Sequence, residues 1–185
     1  TYNIAIGLFG MSYPSGRAIT KSFDARNRLV GINEGNEQLF SATYDAANQM
    51  LSQLNGNGGT ITYNYDAGGR LLSKLSNSIP PVGFQYTYDN AGNKLSEKKT
   101  HKTDHSEQYL YDNEDQLIEF KYGTLTGSLI NSPTHFQKFN YDQLGNRTTA
   151  IFDNDTLQYI TNSLNQYIQI NGSTNTAQIF DNNGN

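Results

Sequence analysis

The chain has 185 residues, 13 basic and 17 acidic side chains, a formal net charge of −4 and no cysteine. Disulfides and cysteine-ligated zinc are therefore excluded, and a mild negative charge without a basic stripe argues against nucleic acid as a partner. Leu, Ile, Val and Phe make up only about a fifth of the residues, near the level at which chains stop folding, but 13 tyrosines shift the balance toward a folded state.

In chain order, the apolar opening Ile4 to Met11 is too short to span a bilayer and lacks the basic flank of a signal peptide. An aromatic followed by aspartate then recurs at Phe23-Asp24, Tyr44-Asp45, Tyr65-Asp66, Tyr88-Asp89, Tyr111-Asp112, Tyr141-Asp142 and Phe180-Asp181. Up to Asp142 the aspartates lie 21, 21, 23, 23 and 30 residues apart, and a degenerate copy, Thr161-Asn162, fills the last gap. Such self-similarity means one small supersecondary unit repeated along the chain.

Three residues after each motif position stands Asn27, Asn48, Gly69, Gly92, Asp115, Gly145, Asn165 or Gly184. These are the residue types that tolerate positive φ. The spacing predicts a type I turn whose carboxylate accepts a backbone N–H, closed by a left-handed residue that forms a G1 bulge.

The residues ahead of each turn alternate. Tyr63 and Tyr65 face one way and Thr62 and Asn64 the other, and Tyr86/Tyr88, Tyr109/Tyr111 and Phe139/Tyr141 repeat the pattern. Period two with aromatics on one side predicts half-buried strands. Past the turn comes a long polar residue such as Arg28, Gln49, Arg70 or Gln116, then apolar Leu29, Met50, Leu71 or Leu117, with less clean alternation. Far-end turns are expected at Asn55 to Gly59, Ser76 to Gly83, Lys98 to Ser106, Gly123 to Pro133 and Asn171 to Asn175; the spacing of 30 fits an excursion through Gly123 to Pro133. The fold class expected is all-β: tandem antiparallel hairpins forming one long, twisted and curved sheet. The chain stops one residue past Gly184, which reads as an array cut from a longer protein.

Candidate chemistry is thin. Each repeated aspartate sits where it caps turn amides, and several equivalent copies do not make the single asymmetric constellation that catalysis needs. His101 and His105 have the spacing of ligands on a helix face, but they lie in a polar inter-strand segment with no helical apolar period. Asp153-Asn154-Asp155 and Asp181 to Gly184 look like calcium loops yet lack the closing glutamate. Gly56-Asn57-Gly58-Gly59 lacks the Lys-Ser/Thr of a phosphate loop. Three matches to the N-glycosylation pattern, beginning at Asn146, Asn154 and Asn171, carry meaning only in a eukaryotic secreted protein. No catalytic, cofactor or metal residue is expected.

The Tyr-Asp-x-x-Gly-Asn/Arg pattern with its Tyr-x-Tyr-Asp lead-in resembles the YD repeats of the Rhs family, most closely at Tyr65 to Leu71, Tyr88 to Leu95 and Tyr141 to Arg147. Tyr13-Pro14-Ser15-Gly16-Arg17 resembles the family's Tyr-Pro-x-Gly lead-in, and Asn162 to Tyr167 a common variant repeat. That family includes bacterial polymorphic toxins, insecticidal toxin-complex components, wall-associated proteins and teneurins. The resemblance implies a repeat array that spirals into a hollow shell around a C-terminal toxic domain, in a secreted or cell-surface protein. Its partners would be the remaining repeats and the cargo domain of the same larger protein. The family's Asp-Pro-x-Gly core with its self-cleaving aspartate is not found in this sequence, nor is a cargo domain.

Two further readings compete. In one, exposed tyrosines stack against glycans or a cell-surface receptor, and the burial of Tyr63, Tyr65, Tyr86 and Tyr88 discriminates. An enzyme is the third, and it has no nucleophile motif or cofactor loop to stand on.

Overall fold

The computed structural model describes residues 2–3, 8–172 and 176–177. It forms two compact units, Thr1–Gln85 and Tyr86–Asn185. Both are all-β, and strands pair antiparallel with their neighbours in sequence, as the alternation led us to expect.

The first unit runs β1 (Tyr2–Asn3), β2 (Leu8–Ser12), β3 (Ala18–Phe23), β4 (Leu29–Glu34), β5 (Glu37–Tyr44), β6 (Met50–Asn55), β7 (Thr60–Tyr65) and β8 (Leu71–Ser76). β9 (Gly83–Tyr88) straddles the boundary: Gly83, Phe84 and Gln85 pair with Leu75, Lys74 and Ser73 of β8. The second unit continues with β10 (Lys94–Lys99), β11 (Ser106–Tyr111), β12 (Leu117–Gly123), β13 (Pro133–Tyr141), β14 (Arg147–Phe152), β15 (Asp155–Thr161), β16 (Tyr167–Asn171) and β17 (Thr176–Ala177). A single 3-10 turn, Thr103–His105, is the helical element among the described residues, and no helix there is long and apolar enough to cross a membrane.

One irregularity recurs inside the hairpins. Tyr65 pairs with Leu71 but Asn64 pairs with Ser73, so Leu72 has no opposite residue. The same skip leaves out Val30, Leu51, Ile118, Thr148 and Ile168 in the equivalent hairpins. An extra residue on one strand is a β-bulge, which bends the strand and raises its twist. It explains the untidy alternation after each turn, since two successive apolar residues, such as Leu71 and Leu72, are both accommodated before period two resumes at Ser73.

Beyond the bulge, the face opposite the aromatics carries a polar rung. At four motif acids the residue two before bonds to the residue seven after: Thr43–Ser52 at 2.6 Å, Asn64–Ser73 at 2.9 Å, Thr87–Ser96 at 2.6 Å and Asn140–Thr149 at 2.6 Å. Ser96 is only 3% exposed, so its hydroxyl depends on that partner. In the first hairpin the rung is Ser22 opposite Gly31, where a Cβ would lie 2.5 Å from Ser22 Oγ.

The connections at the other end vary. Asn55 repeats the corner chemistry in miniature, its carbonyl accepting Gly58 N–H at 2.9 Å with Gly58 at φ +79°. The Ser76–Gly83 segment contains a cis Ile79–Pro80 bond. The excursion after β12 is anchored by Leu125 and Ile130, both buried, and by the Ile130 N–H donating to Gln108 Oε1 at 2.8 Å. Two tight turns escape the sequence reading. Gly35-Asn36 joins β4 to β5, and Asp153-Asn154 joins β14 to β15. The second is a hairpin in place of a calcium-like loop, and Asp153 is committed within the fold: its Oδ1 accepts the Phe136 N–H at 2.7 Å and its Oδ2 lies 3.1 Å from His135 Nδ1.

Candidate functional site

The repeated corner is the chemical unit of this chain. At Asp66, the Oδ1 oxygen accepts the N–H groups of Gly68 and Arg70, both at 2.9 Å. Oδ2 takes the Arg70 guanidinium at 2.6 Å, and the Asp66 carbonyl accepts the Gly69 N–H at 3.0 Å. Asp24 is held likewise by Arg26, Arg28 and the Arg28 guanidinium, and Asp142 by Leu144, Asn146 and the Asn146 carboxamide. Asp45 accepts from Gln49, Asp89 from Gly92 and Asn93, and Asp112 from Glu114 and Gln116. Asn162 makes the same bonds with its amide oxygen, to the N–H groups of Leu164 and Gln166.

The left-handed residue follows at each of these corners. φ is +60° at Asn27, +69° at Asn48, +84° at Gly69, +102° at Gly92, +60° at Asp115, +80° at Gly145 and +60° at Asn165. Phe180, Asp181 and Gly184 lie outside the described residues.

These bonds favour the charged carboxylate. Asp24 is held below its ordinary pKa chiefly by the Arg28 side chain, Asp66 by the Arg70 N–H and guanidinium, and Asp142 by the Asn146 carboxamide. At Asp89 burial pushes upward, and the Asn93 and Gly92 hydrogen bonds outweigh it. A carboxylate whose lone pairs are occupied by its own turn is poorly placed to move protons in a reaction.

The motif tyrosines join one repeat to the one before. Tyr44, Tyr65 and Tyr141 donate their hydroxyls to the carbonyls of Leu29, Met50 and Leu117 at 3.0, 3.0 and 2.8 Å. In the degenerate copy the motif position is Thr161, and the aromatic has moved across the hairpin to its pairing partner, Tyr167. The Tyr167 hydroxyl accepts the Arg147 N–H at 2.7 Å, and its ring sits edge-on to Tyr159 with centroids 5.4 Å apart. Sequence reasoning missed this exchange; the signal was an aromatic standing where four other repeats carry Leu29, Met50, Leu71 and Leu117.

The aromatic face is neither a packed core nor an open groove. Tyr63, Tyr65, Tyr86 and Tyr88 are all half-buried. Cations lie over several rings: Arg28 over Tyr44 at 4.7 Å, Lys94 over Tyr109 at 4.6 Å and Arg147 over Phe139 at 4.4 Å. Phe139, also edge-on to Phe152 with centroids 6.0 Å apart, is 4% exposed. Around Tyr109 the charges cluster. Glu107 meets Lys99 at 3.0 Å and accepts the Tyr109 hydroxyl, while Lys94 meets Glu97 at 3.1 Å. Burial pushes the Glu107 carboxyl upward, but the Tyr109 and Lys99 hydrogen bonds bring it below its ordinary range; burial and Glu107 together push Tyr109 far up.

His105 ends the 3-10 turn with its Nδ1 2.8 Å from Asp104, so the spacing from His101 does not lie along an α-helical face. His135 pairs with Asp153, and the His105 and His135 rings both lie against Tyr122, edge-on with centroids 5.5 Å apart and tilted with centroids 5.8 Å apart. Among the described residues no group of three or more His, Asp or Glu side chains is placed to hold a metal ion.

The architecture thus defines a tandem β-hairpin repeat protein whose recurring element is an aromatic-aspartate corner. Residues 44–78, which contain the Tyr44 and Tyr65 corners, match the RHS Repeat family. The fold is similar to that in crystal structures of TcdB2-TccC3, with 19% identity and a TM-score of 0.56 for a TcdB2-TccC3-TEV structure and 21% and 0.55 for TcdB2-TccC3 itself. Each covers 86% of this chain and 9% of the matched one. A Photorhabdus luminescens Tc holotoxin pore structure is similar at 20% identity and TM-score 0.56, over 83% of this chain and 8% of that one. No curated protein matches in sequence. Residues 44–78 thus carry an Rhs repeat, and the chain spans less than a tenth of the length of these toxin-component structures.

Proposed function

We propose that this chain is a wall segment of an Rhs-type β-shell in a larger secreted bacterial protein, where it helps enclose or present a C-terminal cargo domain and catalyses nothing itself. The observation that carries the reading is the corner. The motif carboxylates Asp24, Asp66, Asp89 and Asp142 are each occupied by amides and side chains of their own turns, so the repeated acid serves architecture. The partners in this reading are the neighbouring repeats and the cargo. Protease protection in the full-length protein tests it. The cargo domain should resist digestion in the intact protein and become cleavable when the corners are broken by Gly69→Val and Gly145→Val together. A cargo domain cut equally fast in both would remove the proposal.

A second reading, a glycan- or receptor-binding adhesion surface, draws on the half-exposure of Tyr63 beside the Lys74 ammonium, 5.9 Å from its ring centroid. It predicts glycan retention that Tyr63→Ala weakens at unchanged thermal stability.

A further inference from the structure

Along the turn edge, at five corners the residue four after the motif acid lies against the left-handed residue of the next corner, and its length varies with what it meets. Asn93 Nδ2 donates to Asp115 Oδ1 at 2.6 Å, and Asn146 Nδ2 donates to Asn165 Oδ1 at 3.2 Å. At Gly69 and Gly145 the reaching side chain is glutamine, whereas the corner before Gly92 carries Arg70. A Cβ built on Gly69 would lie 2.8 Å from Gln49 Nε2, and one on Gly145 would lie 3.8 Å from Gln116 Oε1. Asparagine is one methylene shorter than glutamine. An Asn or Asp across the gap supplies the missing reach, whereas the glycine at Gly69 leaves room for the longer amide. Arg28, longer still, runs alongside Asn48, donating to its Oδ1 at 3.1 Å and continuing to the Asp45 carbonyl at 2.8 Å.

Backbone preference alone does not produce this matching, since Gly, Asn and Asp all tolerate the left-handed conformation. We propose that the pair is a length-matched lock by which one repeat selects the repeat that can follow it. A corner carrying Asn accepts a neighbour with a side-chain oxygen at its left-handed position, and a corner carrying Gln accepts a neighbour with glycine there. The partner this surface fits is therefore another corner of the same type, chosen by the summed length of two side chains. The lock acts between adjacent turns whatever the array encloses, so it stands apart from the shell proposal.

A double-mutant cycle on the full chain tests it, using Gly69→Asn because asparagine already adopts positive φ at Asn48 and Asn165. Gln49→Asn and Gly69→Asn should each lower the melting temperature by about 2–4 °C, while the double variant returns to within about 1 °C of the parent. Gln49→Asn thus changes sign, destabilising the parent and stabilising the Gly69→Asn background. Equal losses from Gln49→Asn in both backgrounds would overturn the lock, as would a double variant that fails to fold. The converse cycle, Asn93→Gln with Asp115→Gly, moves a natural short pair to the long-amide class and must show the same rescue.

Discussion

The Tyr65 hydroxyl donates to the Met50 carbonyl, 3.0 Å away in the preceding repeat. Met50 begins the outgoing strand and is followed by the bulged residue Leu51, and the tyrosine of the next repeat fills the acceptor at this irregular point of the ladder. Successive hairpins are thereby joined by side chains as well as by strand pairing. Tyr65→Phe should lower stability by about 1 kcal/mol, a few degrees in melting temperature, through loss of that single bond. Tyr13→Phe, at an exposed position, serves as the control; equal shifts for the two would show that the Tyr65 bond contributes nothing.

Gly69 combines φ of +84° with the close approach of Gln49 Nε2. Gly69→Val should therefore destabilise by about 1–3 kcal/mol through forced positive φ on a β-branched residue. A thermal melt followed by circular dichroism measures it, and an unchanged midpoint would contradict the corner geometry.

Acid should loosen the corners. Asp24, Asp66 and Asp142 have folded-state pKa values below their unfolded ones, so the folded state resists protonation. Their contribution is full above the unfolded carboxylate value of about 3.9 and is lost as pH falls through the lower folded values. Melting temperature should be nearly flat from neutral pH to about 5 and then drop. Asp66→Asn, which copies the amide found naturally at Asn162, should make that drop shallower; an identical pH profile would show that the Asp66 carboxylate is not linked to folding.

The Thr87–Ser96 rung, at 2.6 Å with Ser96 buried, provides an independent probe of the face opposite the aromatics. Thr87→Val should cost about 1 kcal/mol by stranding the buried Ser96 hydroxyl, and Thr87→Val with Ser96→Ala should cost less than the two single changes added together. Strict additivity in chemical denaturation would mean that the hydroxyls do not cooperate.

The recurring aromatic-aspartate pair and the left-handed residue three positions on were legible without coordinates, because both answer to local backbone chemistry: a carboxylate capping a turn, and a residue that accepts positive φ. Incoming strands were legible for the same kind of reason, since Tyr63 and Tyr65 reveal their common face by spacing alone. The outgoing strands were not, because a bulge at Leu72 or Leu51 shifts the phase of the alternation and leaves only a pair of adjacent apolar residues as its trace. The hairpin at Asp153-Asn154 was read for its acidic composition, whereas the Asp153 carboxylate is bonded to β13, through Phe136 and His135.

The amino-acid order by itself determined the repeat, its period, the corner and the all-β class, all of which depend on residues within a few positions of one another. Tertiary structure alone decided which oxygen each tyrosine meets, how Tyr167 takes the part of the aromatic absent at Thr161, and which side-chain lengths face each other across neighbouring turns. Those contacts join residues about 15 to 24 positions apart and exist only when one hairpin is laid against the next.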